Sequence, residues 1–259
     1  MFVTGNLDSA RRQIAQNQRL GAYINQLQQG YPLSLSYTTK VTTDDWPYIY
    51  LKSPIIPVLY YLLAGLMLLV LYRSSKKWQA SDIITRWHRS HWHFFFLGAA
   101  FLLLEVQNIS KASVVLGNTW ETNAVIVSGV LVMALFANWI AYKFSRIQIS
   151  AVYMALIAIS LALYFVDLAQ FAFLPYAAKV LVVGGLTTLP MLFSGIIFVR
   201  SFASAERKDE ALGANIVGSL VGALIQSATF VVGIKALLLI VTGMYTLSML
   251  TKPRQLRSA

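Results

Sequence analysis

The chain has 259 residues, of which 57% are hydrophobic and 12% are charged, whereas a typical soluble domain carries about 25% charged residues. This composition excludes an ordinary soluble domain, a disordered chain and a collagen-like repeat. The absence of cysteine excludes thiol catalysis, a disulfide framework and Cys-ligated metal clusters. We therefore expect a membrane protein.

Residues 1–52 differ in composition from the rest of the chain, because Gln and Asn are frequent and apolar runs are short. The stretch AQNQRLGAYINQLQQ predicts a modest amphipathic helix, which needs a partner surface to be stable. Trp46 and Tyr48 suit a membrane interface. Asp44 and Asp45 would point in opposite directions on an extended strand, so they do not predict an acid–base pair. We interpret residues 1–52 as a polar N-terminal cap.

Seven apolar tracts of roughly 18–25 residues follow this cap, and each can cross a ~30 Å hydrocarbon core as a helix. The predicted helices cover approximately residues 55–72, 93–110, 122–142, 149–168, 177–199, 212–232 and 234–250. The predicted fold is an all-α, polytopic integral membrane bundle over residues 53–251. Residues 252–259 form a basic C-terminal tail.

The net charge of +11 would suggest nucleic acid as a partner of a soluble chain, but in a polytopic chain it indicates topology first. The predicted helices place thirteen basic residues on one side of the membrane and eight on the other. The thirteen are Arg73, Lys76, Lys77, Arg86, Arg89, Lys143, Arg146, Arg200, Arg207, Lys208, Lys252, Arg254 and Arg257. We expect this side to face the cytoplasm of a bacterial inner membrane, with the C-terminus inside. The expected partner of these charges is the lipid bilayer, not nucleic acid.

Three histidines precede the second predicted helix and invite comparison with a metal site. His88 and His91 would be neighbours on a helix, whereas His93 would point elsewhere. Only Asp82 lies nearby as an acidic ligand. Because Trp, His and Arg residues are clustered here, we expect a membrane surface and no metal ion.

Glu105 lies about eleven residues into the second predicted helix and therefore near the bilayer midplane. An ionisable side chain there costs on the order of 3 kcal/mol unless it is paired, hydrated or protonated. Glu105 shares a stripe with Gly98, Phe101 and Asn108, which we expect to face the bundle interior, whereas Gln107 lies off that stripe. Two interpretations stay open: a proton- or cation-linked site, and a hydrogen-bonding anchor between helices.

Pro190 lies within the fifth predicted helix, where it removes the hydrogen bond to the carbonyl of Leu186 and predicts a kink. The freed carbonyls either line a cavity or are satisfied by Thr187 or a neighbouring helix.

The sixth predicted helix has one face made only of small or polar residues. Gly218 and Gly222 on this face form a GxxxG pair, which permits close approach of another helix. Asn215 and Gln226 can hydrogen-bond across that contact. We expect helix packing here, with a protein partner as one occupant of the face, and a substrate path as the alternative.

Four segments in this order, TDDWPYIYL, HFFFLGAAFLLLEVQNISK, GNTWETNAVIVSGVL and ALGANIVGSLVGALIQ, resemble the C-terminal membrane half of multipass spermidine-synthase-like proteins. In that family a nucleotide-binding, methyltransferase-like domain is joined to a helical membrane region. The resemblance covers about four fifths of the chain and implies that the first residues are the trailing end of such a soluble domain, lost or separate. It brings no catalytic residue, because no strand followed by a glycine-rich turn and a helix occurs in this sequence.

The expected function is that of a non-catalytic membrane module or a subunit of a larger membrane assembly, without a cofactor. One alternative is a transporter of small solutes or polyamines, in which Glu105 binds a cation and the fifth and sixth helices line the route. A second alternative is the membrane part of a polyamine or methyl-transfer enzyme whose soluble half is a separate chain.

Overall fold

The computed structural model describes residues 12, 16–30, 42–78, 87–117, 119–144 and 146–253. The chain divides into two compact units, Met1–Lys40 and Val41–Ala259. In the first unit, helix α1 spans Gln18–Gly30. Asn17 caps this helix, since its side-chain oxygen accepts a hydrogen bond from the backbone N–H of Leu20 at 3.1 Å. Asp82 and residues 254–259 of the predicted C-terminal tail lie outside the described residues.

The described part of the second unit is helical, apart from an isolated antiparallel bridge between Thr43 and Trp46. Its helices are α2 (Val58–Trp78), α3 (Arg89–Leu116), α4 (Trp120–Lys143), α5 (Ile149–Phe165), α6 (Tyr176–Ala203), α7 (Lys208–Ile225), α8 (Thr229–Val232) and α9 (Ala236–Thr251). Two 3₁₀ turns, Leu168–Phe171 and Gln226–Ala228, follow α5 and α7. The all-α prediction is therefore confirmed for the described residues.

Four of these elements are long and apolar enough to cross a membrane: α3, α4, α6 and the stretch Lys208–Val232 that joins α7 to α8. The other three predicted spans correspond to shorter apolar helices, Val58–Val70 in α2 together with α5 and α9. The 17 residues of α5 cover about 26 Å, slightly less than a ~30 Å hydrocarbon core. Membrane-spanning length is thus reached by four helices in the described part of the chain.

Helix α3 is the centre of the bundle, because it packs against α4, α6, α7 and α9. Helices α4 and α5 pack against α6, and α5 also packs against α9. Large side chains that fill the space between them include Leu97, Leu104, Tyr153, Leu237 and Tyr245, none of which is more than 2% exposed. Because α3 has neighbours on several sides, its buried surface is wider than a single stripe.

Helices α3 and α7 approach each other closely at Gly218 and Gly222. A Cβ atom on Gly218 would lie 2.0 Å from the backbone oxygen of Phe95, and one on Gly222 would lie 2.6 Å from that of Ala99. Real Cβ atoms do not approach other atoms within 3.0 Å. The two helices can therefore touch through their backbones only because these residues lack side chains.

Polar groups reinforce the same contact. The Asn215 side-chain amide donates to the backbone oxygen of Phe94 at 3.2 Å, and the Ser219 hydroxyl lies 3.2 Å from that of Gly98. Gln226 lies in the 3₁₀ turn after α7, and no hydrogen bond joins its side chain to a residue that the structure describes. The small-residue face of α7, for which a protein partner was one predicted occupant, is thus covered by α3 of the same chain.

Helix α6 is continuous through Pro190, which is buried. The hydroxyls of Thr187 and Thr188 donate to the carbonyls of Val183 and Gly184, at 2.8 and 2.7 Å. These bonds lie one turn before the carbonyl of Leu186, which is the one that loses its helical donor to the proline. Thr187 therefore does not satisfy the freed carbonyl.

Residues 42–52, which the sequence assigned to the polar cap, belong to the same compact unit as the bundle. Trp46 is only 2% exposed, and its indole N–H donates to the backbone oxygen of Phe230 at 2.7 Å. The backbone oxygen of Asp45 accepts from the N–H of Ile234 at 2.8 Å, and its carboxylate accepts from the N–H of Lys235 at 2.6 Å. This segment is therefore hydrogen-bonded to the turn before α9. The sequence had predicted only that its aromatic residues lie at a membrane interface.

Candidate functional site

A cleft of about 360 Å³ opens where the start of α3 meets the end of α6 and the start of α7. It lies at the end of the bundle that carries most of the basic residues near helix termini. Its lining residues are His88, Ser90, His91, Phe94, Ser201, Ser204, Ala205, Glu206, Arg207, Glu210, Ala211 and Pro253. The lining thus combines titratable side chains, hydroxyls and apolar groups.

Three side chains in contact, His91, Glu210 and Arg207, form one wall of the cleft. His91 Nε2 lies 3.0 Å from a carboxylate oxygen of Glu210, and the Arg207 guanidinium lies 2.7 Å from the other. The Nδ1 atom of His91 accepts a hydrogen bond from the backbone N–H of His88 at 3.1 Å. Nε2 therefore carries the proton and donates to Glu210. Glu210 is also placed favourably in the first turn of α7, where the helix dipole stabilises a negative charge.

His93 lies beneath the cleft, and its side chain is fully buried. Nδ1 is 2.8 Å from the backbone oxygen of Ser248, while Nε2 is 3.0 Å from the hydroxyl oxygen of Ser201. A carbonyl oxygen can only accept, so Nδ1 carries the proton of the neutral ring. Nε2 then accepts a hydrogen bond from the hydroxyl of Ser201, a residue that borders the cleft although it is only 1% exposed.

Ser248 extends this network into the bundle. Its hydroxyl donates to the backbone oxygen of His93 at 3.1 Å and lies 2.8 Å from the hydroxyl of Tyr153. Because the hydroxyl proton of Ser248 is donated to the backbone oxygen of His93, the Tyr153 hydroxyl donates to the Ser248 hydroxyl. One chain of hydrogen bonds therefore runs from Ser201 through His93 and Ser248 to Tyr153, and it joins α3, α5, α6 and α9.

Two cations fix the end of α9 beside this network. Arg89 donates to the backbone oxygen of Leu250 at 2.7 Å, a favourable position for a cation because it is a helix C-terminus. Lys252 is only 4% exposed, and its ammonium donates to the hydroxyl of Ser150 at 3.2 Å. The sequence treated Lys252 as part of a solvated tail, whereas the structure places it between helices.

Lys111, which the sequence counted as a surface charge of the opposite end, is also buried. Its ammonium donates to the backbone oxygen of Leu163, near the C-terminus of α5. This carbonyl is one of the groups that a helix end leaves without an internal donor, so a cation is favourable there.

Midway along α3, Glu105 is half-buried, and no hydrogen bond or ion pair connects it to a described residue. Asn108 is fully buried, as the sequence predicted, but so is Gln107, which the sequence placed off the interior stripe. The Gln107 amide nitrogen and both polar atoms of the Asn108 amide have no hydrogen-bond partner within the described residues. The polar interior of this helix therefore centres on Gln107 and Asn108, and Glu105 lies at its margin.

The three histidines at the start of α3 do not converge on a common point, because His91 pairs with Glu210 and His93 points into the bundle. Within the described ranges, no group of three His, Asp or Glu side chains is arranged to hold a metal ion.

Of the buried network, only His93 was singled out from the sequence, and only as one of three histidines compared with a metal site; Tyr153, Ser201 and Ser248 were not identified. The available signal was that Tyr153 and Ser248 are polar residues inside apolar helices, where each needs an internal partner. That signal does not say which residues pair, since His93 and Ser248 are 155 positions apart.

Comparison of the chain with protein-family models, curated proteins and solved structures gives no match. The resemblance to spermidine-synthase-like membrane regions therefore stays a prediction from the sequence.

Proposed function

We propose that this chain is an integral membrane module that acts as a subunit of a larger membrane assembly. The observation that carries the membrane placement is the inverted distribution of polarity. His93, Asn108 and Lys111 are buried, whereas Leu135 and Leu181 are 70% and 76% exposed. A protein in water favours the opposite arrangement, because large exposed apolar surfaces are costly there.

The proposal includes seven spans, with α2, α5 and α9 in addition to the four long elements. Support comes from the way the two ends of α5 are held. At its start, Ser150 accepts from Lys252 at the cleft end, and near its other end Leu163 accepts from Lys111. Helix α5 therefore extends along most of the bundle. Short spans are tolerated by local thinning of the bilayer and by snorkelling of flanking side chains.

In this proposal the cleft end faces the cytoplasm of a bacterial inner membrane. The starts of α3, α5 and α7 meet the ends of α6 and α9 there, and Arg89, Arg207 and Lys252 lie at these termini. An excess of Lys and Arg in short loops favours the cytoplasmic side.

Helix α2 supports the role of a subunit. Leu62 and Leu66 on one face of α2, and Tyr61 and Leu68 on the opposite face, are each more than half exposed. The other apolar helices of the bundle each have a buried face. We propose that α2 packs against a helix of a partner protein within the membrane.

Extraction of the protein from its native membrane, together with the surrounding lipid, tests this proposal. We expect a second protein to co-purify in fixed stoichiometry, and we expect Leu62→Trp to reduce its recovery, because the larger ring disturbs helix packing. Leu135→Trp, on the exposed surface of α4, is the matched control and should leave recovery unchanged. Recovery of the chain without any other protein would contradict the subunit role.

A second candidate function is transport of a small cation or polyamine, and the unpartnered amides of Gln107 and Asn108 favour it. Polar groups in hydrocarbon need a partner, and a hydrated solute can supply one. Glu105→Gln keeps the shape of the side chain and removes its charge. We expect it to abolish coupled uptake in proteoliposomes if Glu105 binds the cation, and unchanged uptake would exclude that role.

A further inference from the structure

We propose that Ser201 and His93 form the nucleophile and the general base of an ester-hydrolysing site that opens into the cleft. This proposal goes beyond the role of a membrane module and assigns a chemical activity to the cleft end of the bundle. It is carried by three features: the hydrogen bond between the two side chains, the fixed tautomer of the imidazole, and the position of Ser201 in the cleft wall.

The first two features follow from the contacts of His93. Ser201 Oγ lies 3.0 Å from Nε2, within the range of a nucleophile paired with its base. The backbone oxygen of Ser248 lies 2.8 Å from Nδ1 and accepts its proton. Nε2 is therefore unprotonated and is directed at the Ser201 hydroxyl. Ser248 has the role of the third group that orients the base, with a carbonyl in place of a carboxylate.

The third feature is the position of Ser201. Ser201 is only 1% exposed, but it lines the 360 Å³ cleft, whereas His93 does not. A bound ester would therefore approach the pair from the side of Ser201. Phe94, Ala205 and Pro253 give the cleft an apolar part. The cleft lies at the ends of membrane helices, which favours an amphiphilic ester with its acyl group towards the bilayer.

The start of α7 supplies hydrogen-bond donors for a developing negative charge. The N–H of Ala211 is the first to bond within this helix, to the carbonyl of Arg207. The preceding N–H groups of the first turn have no helical acceptor, and the helix dipole is positive there. Arg207 and Glu210 both line the cleft, so this helix start borders the same cleft as Ser201.

The reaction has two balanced steps. Ser201 Oγ forms a bond to the ester carbonyl carbon while its proton passes to His93 Nε2; the bond to the alcohol oxygen then breaks, and Nε2 returns the proton to the leaving alcohol. Water next attacks the acyl-serine carbonyl and gives a proton to Nε2. The bond to Ser201 Oγ breaks, the carboxylic acid leaves, and the proton returns to the serine oxygen.

An alkyl fluorophosphonate, which phosphonylates activated serines with loss of fluoride, tests the pair in the full chain purified in detergent. We expect one adduct, located on Ser201 by peptide mass spectrometry, and complete loss of labelling in Ser201→Ala. We expect His93→Gln to slow labelling by about 100-fold or more, because a general base contributes at least that factor. Ser194→Ala is the control: Ser194 is a buried serine of the same helix that bonds to Tyr245, and its loss should leave labelling unchanged.

Mapping on the unaltered chain needs no variant, so a folding defect in Ser201→Ala does not prevent the test. An unlabelled protein, or an adduct on Ser90 or Ser204 in place of Ser201, would overturn the proposal. Labelling at the normal rate in a folded His93→Gln protein would show that Ser201 has no base. Each result is obtained in detergent and does not depend on whether the chain has a membrane partner, so it is separate from the test of the subunit role.

Discussion

Substitution of Gly218 by Ala tests the contact between α3 and α7 with the smallest possible change. The added Cβ would lie 2.0 Å from the backbone oxygen of Phe95, whereas ordinary contacts begin near 3.4 Å. Both atoms are attached to helix backbones, so neither can rotate away. The helices must therefore move apart by about 1.4 Å at this point.

The energetic cost has two parts. Overpacking of a closely packed site costs about 1–3 kcal/mol. The separation also stretches the hydrogen bonds of Asn215 and Ser219 to α3, each worth about 0.6 kcal/mol in membrane proteins. The higher helix propensity of Ala offsets up to about 1 kcal/mol of this destabilisation. We expect the free energy of unfolding to fall by about 1–3 kcal/mol.

The assay is thermal unfolding of the purified chain in mild detergent, with Gly213→Ala as the matched control. Gly213 is in the same helix, and an added Cβ there meets nothing within 4 Å. We expect the control to unfold at or above the temperature of the unaltered protein, and Gly218→Ala below it. Gly222→Leu should also unfold earlier, since its Cβ would lie 2.6 Å from the backbone oxygen of Ala99. If Gly218→Ala and Gly213→Ala unfold at the same temperature, α7 does not contact α3 in this way.

Three further predictions concern two other contacts and the membrane topology. Asp45→Ala should lower the free energy of unfolding by about 1 kcal/mol, because the carboxylate that accepts from the N–H of Lys235 at the start of α9 is lost. Asp45→Asn keeps an acceptor and should lower the free energy of unfolding by less. Equal thermal stability of both variants and the unaltered protein would contradict this role. Tyr153→Phe should cost about 0.6 kcal/mol in the same assay through loss of the bond to Ser248, and a stabilised variant would show that this bond is not formed. A cysteine at position 258 should react with an impermeant maleimide only after the cells are opened, because we expect the C-terminus inside; labelling of intact cells would reverse the topology.

The candidate site was predictable only in part. Asn108 is buried as its position in the second predicted helix indicated, and Asn215 bonds to a neighbouring helix. The burial of Gln107 was not predicted, because the predicted interior stripe of Glu105 and Asn108 assumes that the helix has neighbours on one side only. Helix α3 has neighbours on several sides. The attachment of Asp45 and Trp46 to residues 230–235 was also missed, since aromatic residues before a membrane helix are equally typical of an interface.

The sequence by itself determined that the chain is helical and that it contains apolar helices long enough to cross a membrane. Apolar runs long enough to cross a bilayer are a local property of the chain, and backbone groups in hydrocarbon leave few alternatives to a helix. Only the tertiary structure decided which polar residues meet. Lipid and protein interior are both apolar, so periodicity of hydrophobic residues does not show which side of a membrane helix is inside. The contacts of His93 with Ser201 and Ser248, and of Gly218 with Phe95, join positions more than one hundred residues apart. Such pairs depend on how the helices are arranged in three dimensions, which no local pattern specifies.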